Sequence, residues 1–206
     1  MGILTSGKFA EALDLEKEDP AVVARYSLPG AGNRTLGTNE GAGSTRKFLL
    51  ARRLVEAGVR LVTVDCRWWD THVQGVESMR EGFLPRWDQA YSALIEDLQD
   101  RGLLDTTMVL AWGEFGRTPK MNAKAGRDHW PNVFSAALAG GGIQGGRVVG
   151  ESDSKGGVPK RNAKSPQDVL STIYRHLGVD TTISYTDNNG RPHPVLMHGE
   201  PIEELF

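Results

Sequence analysis

From Pro85 to Arg101 the chain carries one apolar stripe: Trp87, Ala90, Tyr91, Leu94, Ile95 and Leu98 recur at alternating steps of three and one. That spacing keeps all six on one face of a helix. Pro85 suits the first helical turn and Gly102 a left-handed stop. Immediately afterwards comes TTMVLAWG (106–113), a short apolar run of the kind used by buried strands. The same succession occurs earlier. STRKFLLARRLVEAG (44–58) reads as an amphipathic helix capped by Ser44 or Thr45, with Phe48, Ala51, Leu54 and Val55 inward and Gly58 as its stop. VRLVTVDC (59–66) follows as a β-branched run. A helix followed by a buried strand, twice, predicts an α/β chain with a mainly parallel sheet flanked by helices.

The remaining segments fit this plan. Ser6 is placed to cap a short helix to Leu13, and Asp19-Pro20 to open another with Val22, Val23 and Tyr26 on one face. Residues 27–43 have loop composition. VFSAALAGGG (133–142) is a third strand candidate. Ser165-Pro166 opens a last helix, with Val169, Leu170, Ile173, Tyr174 and Leu177 inward and Gly178 as stop. The tail from Thr186 reads as a turn and a short extended segment. Two regions follow: 1–43, short helices and a loop, and 44–206, the α/β part. Three strands are few for an open sheet of this type, so the sheet is either small or part of a larger domain.

Composition removes several function classes. Net charge is −2, which gives no electrostatic case for nucleic acid. No apolar run approaches the roughly 18 residues of a membrane span. The N-terminus lacks the apolar core of a signal peptide. The single cysteine, Cys66, forms no intrachain disulfide and reads as a small buried side chain. The glycine cluster at 139–157 lacks the G-K-[ST] ending of a phosphate loop and reads as turns, and no Gly-rich fingerprint for a nucleotide follows the first strand.

The chemistry concentrates where strands of a parallel sheet would end. After 59–66 come Asp65 and Asp70-Thr71-His72; after 106–113 come Glu114, Arg117 and Asp128-His129. A carboxylate with two imidazoles is a ligand set for a zinc-like or manganese-like ion. Asp70, His72 and His129 are the candidate ligands. Glu114 is placed as a further ligand or to hold a water, and Asp128 as a ligand or to orient His129. Arg117 would pair with a tetrahedral anion, which makes Glu114 and Arg117 the catalytic candidates. Each residue has a plainer reading: loop histidines held by hydrogen bonds, Asp70 capping a turn, Glu114 and Arg117 as a salt bridge. His176, His193 and His198 read as structural or surface residues, and Trp68, Trp69, Trp112 and Trp130 as packing.

LLARRLVEAGVRLVTV, WDTH, ALIEDLQDRGLLDTTMVLAWGEFGRTP, GRDHWP and LAGGGIQGGRVVGESD together resemble the DUF1501 family, from about residue 44 to the end. The resemblance implies placement among sulfatase and alkaline-phosphatase-like proteins, a wide α/β sandwich with two metal ions at its carboxyl edge. It implies a divalent cofactor (zinc, manganese or calcium) and a phosphate or sulfate ester as substrate. Asp70, His72 and His129 match the order of that superfamily's ligands. Glu114-Phe115 stands where Asp-His is usual, and phenylalanine cannot ligate. Family members are commonly about twice this length and exported. The chain therefore resembles a C-terminal half, inactive alone for want of a nucleophile, with its own N-terminal half as a partner. The rival expectation is a non-catalytic module on the same fold that binds an anion or glycan or serves assembly.

Overall fold

The computed structural model describes residues 7–27, 43–66 and 69–206. The expected Ser6 cap, the 28–42 loop and Trp68 lie outside the described residues, as does the side chain of Ser44. The chain divides into two compact units: residues 1–107 with 120–129, and residues 108–119 with 130–206.

The first unit is helical. It contains α1 (Gly7–Leu13), α2 (Pro20–Arg25), α3 (Gly43–Glu56), the short α4 (Gly75–Glu77) and α5 (Leu84–Asp100). Asp19 caps α2 through its carboxylate, with Pro20 in the first turn. A π-helical turn, Ser78–Phe83, runs directly into α5. α3 lies against α5. Phe48 and Ala51 on the first, and Ala90, Leu94 and Leu98 on the second, are buried as their spacing predicts; Leu49 and Ala93, outside the expected stripes, are buried too, while Leu54 and Val55 are half-buried.

Between these helices sits an ionic network that hydrophobic spacing does not reveal. The Arg52 side chain is 1% exposed and pairs with Glu18, with Glu56 at 2.7 Å and with Asp97 at 2.8 Å. The Asp97 contact, made through Nε, lacks hydrogen-bond alignment and is an ion pair only. Arg53 reaches Glu18 at 2.7 Å, Arg101 reaches Asp97 at 2.7 Å, and the Tyr26 hydroxyl donates to Asp97 at 2.9 Å. Burial alone would raise the Glu18 carboxyl, but hydrogen bonds from Arg53 and Arg52 outweigh it and hold the group low. Burial likewise opposes the charge on Asp97, and Arg101, Tyr26 and Arg52 overcome it. Burial, then the Asp97 charge, push the Tyr26 phenol up.

The run 59–66 forms no strand. Leu61 is 70% exposed, and Cys66 is exposed rather than buried. β-branched composition marks a segment suited to a ladder, but the ladder itself needs a neighbour, and that is a nonlocal condition.

The second unit holds the described strands: β1 (Val109–Trp112), β2 (Gly116–Arg117), β3 (His129–Trp130, entered from the first unit), β4 (Ala136–Ala139), β5 (Glu151–Ser152), β6 (Pro159–Arg161), β7 (Ser184–Thr186) and β8 (Pro192–Pro194). β1 and β4 pair antiparallel, Val109 opposite Ala139 and Trp112 opposite Ala136. The expected parallel sheet of an alkaline-phosphatase-like sandwich is therefore corrected: the described sheets are two-stranded, and β1–β4, β5–β6 and β7–β8 are antiparallel. A parallel crossover needs a packed layer, usually a helix, and the chain between β1 and β4 contains none. What remains is a mixed α/β chain. α6 (Pro166–Leu177) is as expected, with a reciprocal Ser165–Asp168 capping box and Gly178 in the left-handed region at φ 71. Its Val169 forms a core with Ile202 and Leu205, packed by Leu110 and Leu138.

The buried network makes stability pH-dependent in a defined sense. Glu18 and Asp97 are held below their ordinary values of 4.5 and 3.8. A carboxylate depressed in the folded state confers stability that is complete above its unfolded value and lost as pH falls through the folded one. Urea midpoints are expected to be level from pH 7 to about pH 5 and to drop below about pH 4. Arg52→Met should cost roughly 3 kcal/mol near neutrality, because it leaves buried carboxylates short of a partner. It should also make the acid drop shallower.

Candidate metal centre

The site is assembled within the first unit by two stretches of chain, one leading into α4 and one at Lys120–His129. The backbone joins them. Arg127 N–H donates to Thr71 O at 3.1 Å, Gln74 N–H to Lys124 O at 2.9 Å and Gly75 N–H to Ala125 O at 2.9 Å. Asn122 shapes the second stretch. Its Oδ1 accepts from the amides of Lys124 at 2.9 Å and Gly126 at 3.0 Å, an Asx-type closure. Its Nδ2 donates to His72 O at 3.0 Å. Gly126 is where the two backbones come closest. A Cβ there would lie 2.1 Å from both C and O of His72, so no side chain fits.

This clasp brings Asp70, His72 and His129 to one point. Asp70 Oδ1 lies 3.0 Å from His72 Nε2 and 2.9 Å from His129 Nε2. The two Nε2 atoms are 3.1 Å apart, from residues 57 positions apart in the chain. Ligands sharing one ion at bond lengths of about 2.0–2.2 Å are themselves about 2.8–3.6 Å apart at octahedral to tetrahedral angles. All three edges fall in that interval, so the residues fit a divalent ion.

Asp128 Oδ1 lies 2.7 Å from His72 Nδ1 and accepts from Asn122 Nδ2 at 3.1 Å. The His72 hydrogen bond first, and the Asn122 one second, hold the Asp128 carboxyl below its ordinary value. An ionised carboxylate only accepts, so the shared proton belongs on His72 Nδ1. The Asp70–His72 edge sets a carboxylate oxygen 3.0 Å from a ring nitrogen, a separation that a proton or a cation can bridge. The side chains are accessible: 58% exposed for Asp70, 37% for His72 and 47% for His129. Ordinary core packing of histidine does not describe them.

Asp128, expected as a ligand or to orient His129, joins this group and contacts His72 through Nδ1. Glu114 and Arg117 belong to the second unit, where Glu114 is exposed and the Arg117 guanidinium carbon lies 5.8 Å from the Phe115 ring centroid. His193 pairs with Asp187 at 3.1 Å, and His176 lies within α6. Trp69 packs on Phe83 at 5.1 Å, and Trp130 Nε1 donates to Gly157 O at 2.7 Å. Sequence reasoning missed Asn122 and Gly126. Their signal is the spacing Asn-x-x-x-Gly, an Asx closure ahead of a side-chain-free contact.

The family described as "protein of unknown function (DUF1501)" matches residues 2–206. The chain belongs to the DUF1501 family. No curated protein and no solved structure matches it. In this DUF1501 chain the matched span takes in both stretches that build the centre, and also α1 and α2, which the recognisable motifs did not reach.

Gly126 offers a direct test of the clasp. Gly126→Ala forces a methyl against the His72 carbonyl and is expected to cost about 1–3 kcal/mol. Gly145→Ala, where nothing lies within 4 Å of the added carbon, is the control and should change little. Urea unfolding of both variants measures the difference. Equal midpoints would mean that the two backbones are not in contact.

Proposed function

We propose that this DUF1501 chain binds one divalent cation through Asp70, His72 and His129, and that the centre belongs to a hydrolase-like domain acting on phosphate or sulfate esters. One observation supports this above the rest: a carboxylate oxygen and two imidazole nitrogens stand about 3 Å from one another and remain open to solvent. Two nitrogen ligands favour zinc or manganese over calcium, which prefers oxygen. A bound ion would supply Lewis acidity toward an ester oxygen. The protein's part is to hold the three ligand atoms in register, with Asp128 keeping His72 turned toward the other two. We assign no nucleophile to this chain.

Placement in the sulfatase and alkaline-phosphatase-like superfamily belongs to the same proposal. It rests on ligand order along the chain, Asp70, His72, then His129 ahead of β4, and not on the sheet. Phe115 supports a second reading. A non-ligating residue stands where that superfamily uses histidine, as suits a module that keeps the ion to bind an anionic or glycan group without turnover.

The deciding experiment is metal analysis after chelation and reloading with zinc or manganese. Wild type is expected to retain roughly one ion per chain and His72→Ala/His129→Ala none. Negligible metal in both removes the proposal. Aryl phosphate and aryl sulfate esters, presented to the loaded protein, then separate the readings: turnover supports the hydrolase, and binding without turnover supports the module.

A further inference from the structure

We infer that the outer edge of β7 is an interaction surface for a second copy of this chain: two β7 strands pair antiparallel about a two-fold axis at Tyr185 and join their β7–β8 hairpins into one four-stranded sheet. The surface lies in the second unit and does not depend on the metal reading.

The direction of each backbone group decides which edge is open. Asp187 N–H donates to Arg191 O at 2.9 Å and Val195 N–H to Ile183 O at 3.0 Å. With Tyr185 opposite His193, the hydrogen-bonded pairs of the hairpin are therefore 183–195, 185–193 and 187–191. Such pairs alternate with non-bonded ones in an antiparallel ladder. Ser184 and Thr186, opposite Pro194 and Pro192, thus turn their N–H and C=O groups away from the hairpin. The two outer edges are unlike. β8 presents two prolines, which have no N–H, and is closed to a further strand. β7 keeps both donors and both acceptors, and among the described residues none pairs with them. The whole of β7 is exposed, with Tyr185 at 60%, and the preceding Ile183 is 53% exposed.

An edge of this kind accepts an extended strand, and its register selects a copy of itself. Because bonded and non-bonded pairs alternate, a two-fold axis must pass through a residue pair and not between two of them. With Tyr185 at the axis, Ser184 of each copy faces Thr186 of the other, and each of these two pairs exchanges two hydrogen bonds. The central pair is of the closer, non-bonded kind and sets the two tyrosine rings side by side. Ile183 of each copy falls diagonally beside the other's Tyr185 on the same face. Residues 183–186 carry no charge, so the seam holds no repulsion. The same register lays residue 180 of one copy beside residue 190 of the other, where Asp180 meets the turn that carries Arg191, of opposite charge. Four exposed side chains and a short ladder bury less than the roughly 1,200 Å² of a standard interface, which fits a weak dimer with a Kd on the order of 100 µM.

The test is sedimentation velocity of the full chain, kept reduced, from about 5 µM to about 1 mM, which brackets the expected Kd. Wild type should pass from monomer to dimer across that range. Thr186→Pro removes one outward N–H per copy, leaves the inner bonds of the hairpin in place and repeats what β8 already carries. It should weaken the dimer by about 10–100-fold. Tyr185→Lys, which sets like charges at the axis, should weaken it as well. Matching circular dichroism shows that each variant is folded. Register is read by cross-linking in a Cys66→Ser background, because Cys66 is exposed. Under oxidised glutathione Tyr185→Cys should form an intermolecular disulfide, since a self-opposed position brings the two Cβ atoms within reach. Ile183→Cys, on the same face but about 13 Å out of register with itself, should not. Wild type that stays monomeric at the highest concentration overturns the inference. So does a dimer that both Thr186→Pro and Tyr185→Lys leave unweakened, or one in which Ile183→Cys cross-links as readily as Tyr185→Cys.

Discussion

The candidate centre depends on a seam of backbone hydrogen bonds between Thr71–Gly75 and Lys124–Arg127. Asp70 and His72 come from one side of it, Asp128 and His129 from the other. None of the four is on a helix, and only His129 enters a strand, two residues long. Elsewhere such residues would wander with their loops. Here three main-chain bonds, each worth roughly 1 kcal/mol net, fix the register, and the lack of a side chain at Gly126 lets the two strands of chain touch. A loop site can reach a precision normally reserved for secondary structure when its own backbone is paired in this way.

The two charged clusters of the first unit show opposite physics. Around Arg52, three guanidiniums meet three carboxylates, and the most buried members are almost wholly withdrawn from water. Each charge there answers another. Its gain over a well-packed apolar core is small, but its dependence on every member is large. The Asp70–His72–His129 group is the reverse. It stands in solvent, where its hydrogen bonds contribute little to stability. Burial and mutual pairing fit the first cluster to a structural part; exposure and close range make the second the candidate for a ligand.

How much of this was legible in the sequence follows from the range of each interaction. Helix ends are local: Asp19-Pro20, Ser165-Pro166 and Gly178 each announce themselves within a few residues, and each stands where expected. Strand pairing is nonlocal. The run at 59–66 has the composition of a strand and is none, and β1 found its partner in the opposite direction to the one its apolar character suggested. The Asp-x-His and Asp-His pairs were readable because ligand chemistry restricts residue type. Asn122 was not, because its importance lies in what it bonds, and a lone asparagine between Met121 and Ala123 looks like any loop residue. The Arg52 network was hidden for a similar reason: arginine and glutamate at helical spacing read as a solvated face.

The electrostatics of the centre can be carried one step further. His72 lies between two carboxylates, Asp128 on Nδ1 at 2.7 Å and Asp70 on Nε2 at 3.0 Å. With both carboxylates ionised and both imidazoles neutral, the group carries two negative charges and an unprotonated contact between Asp70 and His72. A proton on Nε2 relieves the contact but places N–H against the Nε2 of His129, 3.1 Å away, so that this second nitrogen must in turn be bare. A divalent ion relieves all three edges at once and cancels the charge. The proton serves one edge well and constrains a second; the ion serves every edge without distinction. That difference, and not the mere nearness of acidic and basic residues, is what makes the group a candidate for a cation.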